Sequence, residues 1–393
     1  MEHPYQLYTK TCQLNAINPI KICHFASVHT TNDTRVFYRE CRSLAKLYDV
    51  TLIGIGNFTG QKDGVNIIGI PKPKSRIHRL VFTTFIVFFK ALKINARVYH
   101  IHDAELLPFG IMLSLLGKKV IYDIHENTYQ DIRHKPWIPG PIKWVISRSY
   151  KLLECISSYF MHFIIVAAKP ELTAQFCKRK YTIIQNFADT DELKPFRIAS
   201  RSSISENTLI YMGTIQDMYY NFNVLADAIA ILLNQNISIK LHVVGYAKNY
   251  LEKEWQLHPQ YSILKDYIHF TGHQSPVYAY EISQQCKMAI CLKNQPENIL
   301  VSHERKFFEY MALGLPFICC DSQIYKEALH TFNCGMAVNL KDANSIAQAI
   351  KQMLYEAKLL DTMATEAINA SEKMYNWHSQ EKILLELYQR MIN

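Results

Sequence analysis

Lys306 and Glu309 stand three residues apart in the stretch Glu304-Arg-Lys-Phe-Phe-Glu-Tyr-Met-Ala-Leu-Gly-Leu-Pro-Phe-Ile-Cys-Cys-Asp321. Phe307, Phe308, Met311 and Ala312 recur at helical spacing and give this stretch one apolar face. Residues three apart on a helix project to the same side, so an ammonium and a carboxylate share a face near the helix start. A helix start attracts phosphate, because its free N–H groups and its dipole both favour an anion. A carboxylate one turn later is placed to hold a pair of sugar hydroxyls. Phosphate beside a sugar diol is a nucleotide, and nucleotide binding is the chemistry this spacing predicts. Gly314 then falls where a left-handed cap is wanted, and Pro316 keeps the helix from resuming. Phe317 to Cys320 reads as a short strand buried on both faces.

Two further segments end a strand with titratable groups. Val98-Tyr-His-Ile-His-Asp-Ala-Glu105 places His102, Asp103 and Glu105 just past one strand. Val120-Ile-Tyr-Asp-Ile-His-Glu126 places His125 and Glu126 past another. Loops at the carboxyl ends of parallel strands are where ligand sites collect. A histidine there donates to a sugar hydroxyl or a phosphate and titrates near neutrality. Nothing shows the short helical histidine spacing of a metalloprotease, and these residues lie on separate strands, so no metal is expected.

The elements that must position these groups alternate. Strands are predicted at Ile20–Ser27, Val50–Gly54, Val65–Ile70, Val98–His102, Lys119–Ile124, Phe163–Ala167 and Thr182–Gln185. Helices are predicted at Asp33–Lys46, Arg76–Ile94, Leu106–Leu116 and Pro141–Phe163. Such alternation means βαβ units and a parallel sheet. After a polar stretch, Arg197 to Asn207, read as a linker, the pattern restarts with strands at Thr208–Tyr211, Ser238–Val244, Ile268–Thr271, Met288–Leu292 and Phe317–Cys320.

At 393 residues the chain has room for two ordinary domains, and 49% hydrophobic with 20% charged residues is globular composition. A formal charge of +9 suggests an anionic partner. No basic tail, zinc-finger spacing or other nucleic-acid motif is present, so nucleic acid is the weakest candidate. Ten cysteines without a CxxC pair fit a reducing cytosol better than a disulfide framework. No signal peptide and no membrane span are evident. Arg76 to Lys90 is basic, aromatic and very apolar, with Lys72, Lys74, Arg79 and Lys93 nearby; it predicts either a buried helix or attachment to an anionic membrane surface.

The string Lys306, Glu309, Tyr310, Met311, Ala312, Gly314, Pro316 resembles the nucleotide-sugar-binding helix of glycosyltransferase family 4, the retaining enzymes of GT-B fold, in a capsule- and lipopolysaccharide-type subgroup. The likeness covers nearly the whole chain. His29–Lys46, with Asp33 and Arg35, is similar to the family's opening. His100–Pro108 and Tyr122–Glu126 are similar to its two acceptor-domain motifs. Ile184–Asp189 and Asn376–Tyr388 are similar to the segment before the linker and to the closing helix. The resemblance implies an α/β GT-B architecture of two doubly wound Rossmann-like domains facing a central crevice. Residues 1–195 would bind acceptor, 196–375 would bind the nucleotide sugar, and 376–393 would return to the first domain.

It further implies transfer, with retention, from a UDP- or GDP-sugar to a lipid-linked or polysaccharide acceptor in surface-glycan biosynthesis. No obligatory cofactor or metal is implied. The resemblance assigns His125, His102, Asp103 and Lys306 to catalysis. It assigns Glu309, Lys306, Arg305, Ser302, Gly213, Thr214, Asp33 and Arg35 to the donor. The protein would be cytoplasmic and peripheral on the inner face of the cytoplasmic membrane. Two departures stand out. Val301 occupies the family's first glutamate position, and Glu304 replaces a proline. The Gly213–Asn223 segment lacks the family's Arg/Lys pair, leaving Lys306, Arg305, Lys293 and Arg35 to meet the diphosphate charge. A catalytically inactive binding partner in glycan assembly and a nucleotide-sugar 2-epimerase are the alternatives.

Overall fold

The structure, a computed structural model, describes residues 19–125, 128–134, 138–167, 181–215, 222–247, 250–251, 254–293 and 304–393. The chain forms two compact units, Met1–Asn186 with Gln380–Asn393, and Phe187–Ser379. These bounds differ from the expected 195/196 and 375/376. Phe187, Ala188 and Leu193 instead pack into the hydrophobic core of the second unit.

The first unit is built on an eight-stranded sheet. Its strands are β1 (Lys21–Thr30), β2 (Asp49–Ile55), β3 (Thr59–Lys62), β4 (Val65–Ile70), β5 (Val98–Ile101), β6 (Lys119–Ile124), β7 (Phe163–Val166) and β8 (Tyr181–Ile183), in the order β3-β4-β2-β1-β5-β6-β7-β8. All pairings are parallel except β3 with β4. Central strands such as β5 are buried along their whole length; Val98, Tyr99 and Ile101 of β5 are core residues, and His100 is buried among them. Helix α1 (Thr34–Cys41, continued by Arg42–Ala45) follows β1, with Asp33 capping its start by accepting from the N–H groups of Arg35 and Val36. Helical turns at Arg76–His78 and Arg79–Thr83 lead into α2 (Thr84–Ile94). Helices α3 (Leu107–Leu115) and α4 (Gly140–Phe160) complete the set used below.

The second unit holds a six-stranded, all-parallel sheet of β9 (Thr208–Met212), β10 (Lys240–Val244), β11 (Ile268–Gly272), β12 (Met288–Ile290), β13 (Phe317–Cys320) and β14 (Gly335–Val338), in the order β11-β10-β9-β12-β13-β14. Its helices include α5 (Phe222–Asn234), α6 (Pro276–Ser283), α7 (Arg305–Ala312) and α8 (Ala357–Lys373). Phe307, Met311 and Ala312 of α7 are wholly buried and Phe308 nearly so. Gly314 takes φ +58°, the left-handed cap expected of it, and a Cβ there would meet the Ile368 side chain at 2.8 Å.

The segment read as a polar linker is a structural part of the second unit, which corrects that expectation. Arg201 is completely buried. Its guanidinium donates to the carbonyls of Gly314, Ser283, Cys286 and Leu313 at 2.6–3.0 Å. Two of those carbonyls close α7, so Arg201 satisfies acceptors that the helix end leaves unpaired. Asp361 of α8 holds the same turn by accepting from the N–H groups of Arg201 and Ser202.

Candidate active site

In the second unit the strands β9, β10 and β11 all give way to glycine. Gly213 has φ +124° and Gly245 has φ +155°, both in the region that favours glycine. A Cβ on Gly245 would fall 1.9 Å from the Gly213 carbonyl oxygen, so the backbone itself packs there. Lys306, in the first turn of α7, reaches this strand end. Its Nζ lies 3.9 Å from the centre of the Tyr211 ring and 3.1 Å from Glu304 Oε1. The Tyr211 hydroxyl in turn donates to the Thr214 carbonyl at 2.9 Å. A buried ammonium is thus held beside Gly213 at the carboxyl end of β9, next to a helix start. Such a place suits a phosphate.

Glu309 lies one turn further along α7 and is buried. Its Oε1 accepts from the Tyr280 hydroxyl of α6 at 2.9 Å and faces Arg305 Nε at 3.1 Å. Lys306 and Glu309 therefore have different immediate partners, the turn after β9 for one and α6 for the other. Ser302 lies outside the described residues, as do Val301 and the Asp217–Asn221 segment where the Arg/Lys pair was missed.

In the first unit the predicted residues converge on the carboxyl ends of β1, β5 and β6. Asp103 accepts from the N–H groups of Ser27 and Val28 at 2.6 and 2.9 Å and pairs with His29 Nδ1 at 2.8 Å. Burial alone would raise the Asp103 carboxyl, but the bond and charge of His29, with the two N–H groups, bring it to about 2. Burial alone would lower His29; the bond to Asp103 and its charge outweigh this and carry His29 up to about 9. Glu105 accepts from the Ser27 hydroxyl at 2.6 Å and pairs with Arg79 Nε at 2.9 Å.

Asp123 is the hub of the second cluster. It receives Arg35 Nε and Nη2 at 2.9 and 3.0 Å, faces His125 Nε2 at 3.1 Å, and lies 3.5 Å from His102 Nδ1. Burial would raise it, but the Arg35 charge beside it holds it well below the usual carboxylate range. Burial lowers His102 to about 4, against the opposing pull of Asp123. Glu40, buried beside Asp123, is pushed up. His125 is the member of this cluster that reaches solvent, with 16% of its side chain exposed.

The structure thus joins His102, His125 and Arg35 through Asp123, and brings Asp103 to the end of β1. Arg35 also donates to the Ile184 carbonyl at 2.8 Å and is buried, so it ties α1 to β6 and the segment after β8. Asp33 caps α1. Glu126 lies outside the described residues. Asp123, Glu40, His24, His29, His100 and Tyr388 were not singled out from sequence. One signal was available: His24 and His100 are paired in register on β1 and β5, and His102 follows two residues later on the same side.

These two Rossmann-like units, each with an α/β sheet whose carboxyl ends carry the candidate groups, define the GT-B class of fold. The chain is similar throughout its length to solved members of that class. HepE of Anabaena, solved in complex with UDP, is 13% identical with a TM-score of 0.69, covering 95% of this chain and 100% of its own. A sucrose-phosphate synthase of Thermosynechococcus elongatus is 15% identical with a TM-score of 0.71, covering 95% and 99%. A glycosyltransferase of Rickettsia africae is 14% identical with a TM-score of 0.71, covering 96% and 99%. Residues 206–356, within the second unit, match the family model described as glycosyl transferases group 1. No curated protein shows significant sequence similarity to the chain.

Proposed function

We propose that the protein is a retaining glycosyltransferase of family 4 type. It moves a sugar from a nucleotide-diphosphate sugar to a hydroxyl of a lipid-linked or polysaccharide acceptor in surface-glycan assembly. One observation carries this reading: the Lys306 ammonium stands over the glycine turn after β9, inside the segment that matches the group 1 model. The N–H groups at the start of α7 and the Lys306 charge neutralise the diphosphate as it leaves, an electrostatic contribution that is usually the largest in such catalysis. Arg305 lies on the same helix turn, Gly213 and Thr214 line the approach, and Glu309 takes the ribose diol. A UDP-sugar is the first donor to try, because HepE was solved with UDP. GDP-sugars come second. No metal enters this chemistry.

In the first unit, His125 is the histidine placed to reach a substrate hydroxyl. His102 and Asp123 hold its ring, and Asp103 fixes the carboxyl end of β1. No protein nucleophile is assigned. The test is release of UDP from UDP-sugars without acceptor: the chain should hydrolyse at least one donor slowly, and Lys306→Ala should lose that activity.

We further infer that the acceptor is met at the cytoplasmic face of an anionic membrane. Leu80, Phe82, Phe85 and Phe89 are exposed on and before α2, Met112 and Leu115 on α3, and Trp144, Val145, Leu152 and Tyr159 on α4. Phe85 and Phe88 pack on Phe109 of α3, and Ser114 of α3 donates to the Phe160 carbonyl of α4, so the three helices are neighbours. Their only acidic residue is the buried Glu154, whereas Lys90, Lys93, Lys143, Arg148 and Lys151 are basic. An exposed apolar surface ringed by cations suits anionic headgroups over acyl chains. Among the described residues no helix is long and apolar enough to cross a membrane.

A further inference from the structure

Beneath the His102–Asp123–His125 cluster, and sharing His102 with it, lies a second group whose His24, Glu40 and His100 the proposed reaction does not use. His24, Glu40 and His100 are completely buried and His102 almost so. One ligand atom from each of these four residues lies within 4.8 Å of the others. His24 Nδ1 is 2.9 Å from His102 Nε2, and His100 Nε2 faces Glu40 Oε2 at 4.0 Å. Each imidazole is held at its other nitrogen. Tyr388 Oη lies 3.1 Å from His24 Nε2 and 2.8 Å from His100 Nδ1, and Asp123 Oδ2 lies 3.5 Å from His102 Nδ1. The nitrogens left over are the three that face Glu40 and one another.

Protons complete this arrangement only in part. Among the described residues no hydrogen bond reaches His100 Nε2, while the Glu40 carboxyl lies against that of Asp123, with which it can share a proton. Glu40 Oε1 faces Arg35 Nε at 3.1 Å, which leaves Oε2 turned to the histidines. A buried acceptor without a partner is expensive, and His100 Nε2 has Glu40 Oε2 before it at 4.0 Å, beyond hydrogen-bond reach. A cation between them would satisfy both and would replace the single proton shared by His24 and His102.

We propose that His24, His100, His102 and Glu40 form a closed, four-coordinate structural site for Zn2+. Three neutral imidazoles and one carboxylate are a ligand set suited to zinc. The partners at the far nitrogens follow the rule that a ligating histidine gives its other N–H to a carboxylate or similar acceptor. With Tyr388 on the returning C-terminal segment, the ion would tie β1, α1, β5 and that segment together. This departs from the sequence expectation of no metal. It does not depend on the glycosyl-transfer reading, since the ion has no open position for a substrate.

The test uses the full chain with no polyhistidine tag, grown with Zn2+ and analysed for metal content. One zinc per chain is expected. After stripping with a chelator, one equivalent of Zn2+ should raise the melting temperature, and Co2+ should give the visible absorption of a tetrahedral nitrogen–oxygen site. His100→Ala and Glu40→Gln should lose the equivalent. His125→Asn and His378→Asn should keep it, which separates this site from the His102–Asp123–His125 and Asp189–Asp191–His378 groups. A folded wild-type chain that takes up neither Zn2+ nor Co2+ stoichiometrically would overturn the proposal, leaving a hydrogen-bonded network. Uptake lost in His125→Asn or His378→Asn but kept in His100→Ala would overturn it as well.

Discussion

A Cβ placed on Gly213 would stand 3.3 Å from Lys306 Nζ. The turn after β9 and the first turn of α7 thus meet closely, and a side chain on the glycine would press on the lysine. If that ammonium neutralises a leaving diphosphate, its contribution grows as the glycosidic bond breaks. Lys306→Ala should then lower kcat by about a hundredfold, with a smaller rise in KM. Steady-state kinetics with the best donor checks this. A raised KM with kcat unchanged would reduce Lys306 to ground-state binding.

Arg201 offers a test of how the donor helix is held. Replacing it by methionine keeps much of the volume but removes a donor from four carbonyls, two of them at the end of α7; that of Ser283 keeps the Cys286 N–H. The expected loss is about 3–5 kcal/mol, since each buried carbonyl left unsatisfied costs about 1–3 kcal/mol. Urea unfolding followed by circular dichroism measures it, and a loss below 1 kcal/mol would show that water or a neighbour replaces the arginine.

Glu154 sets a pH dependence in the first unit. Burial among Tyr122 and Tyr150 raises its carboxyl to about 7, even though both hydroxyls donate to it. A folded-state value above the unfolded one means that the folded chain binds the extra proton. Its contribution is therefore fully present below about pH 4.5 and is lost as pH rises through about 7. Glu154→Gln should remove that loss and gain up to about 3 kcal/mol over wild type near pH 8, at about 1.4 kcal/mol per pH unit. Melting curves of both proteins from pH 5 to 8 should diverge as pH rises; parallel curves would contradict the assignment.

The exposed face of α2, α3 and α4 predicts binding to vesicles that contain anionic lipid. Each Lys or Arg near the surface contributes about 1 kcal/mol, screened by salt. Lys90→Glu with Lys93→Glu should weaken sedimentation with anionic vesicles by tenfold or more, and neutral vesicles should bind poorly at any salt. Equal binding to neutral and anionic vesicles would remove the electrostatic part of the account.

Much of the second unit was legible because its signals are local. Helix α7, the Gly314 cap, the Pro316 stop and strand β13 each follow from spacing within a dozen residues. Strand β3 was missed because Thr59-Gly-Gln-Lys62 is a polar, exposed edge with no apolar alternation to read. Arg201 was taken for solvated linker because nothing nearby in sequence says that an arginine will be enclosed by four carbonyls. In the candidate site, His102 and His125 were readable as strand-end residues. Their hub Asp123, the neighbours His24 and Glu40, and Tyr388 were not, since only the sheet order β1-β5-β6 and the return of the C-terminal segment bring them together.

The central claim is that the second unit binds a nucleoside diphosphate across the start of α7, with Glu309 on the ribose. Isothermal titration of UDP and GDP into the full chain tests it most directly. The account predicts saturable binding of one of them, weakened by about 1.5–3 kcal/mol in a folded Glu309→Ala variant. Neither nucleotide binding, or an affinity unchanged in Glu309→Ala and Lys306→Ala, would contradict it.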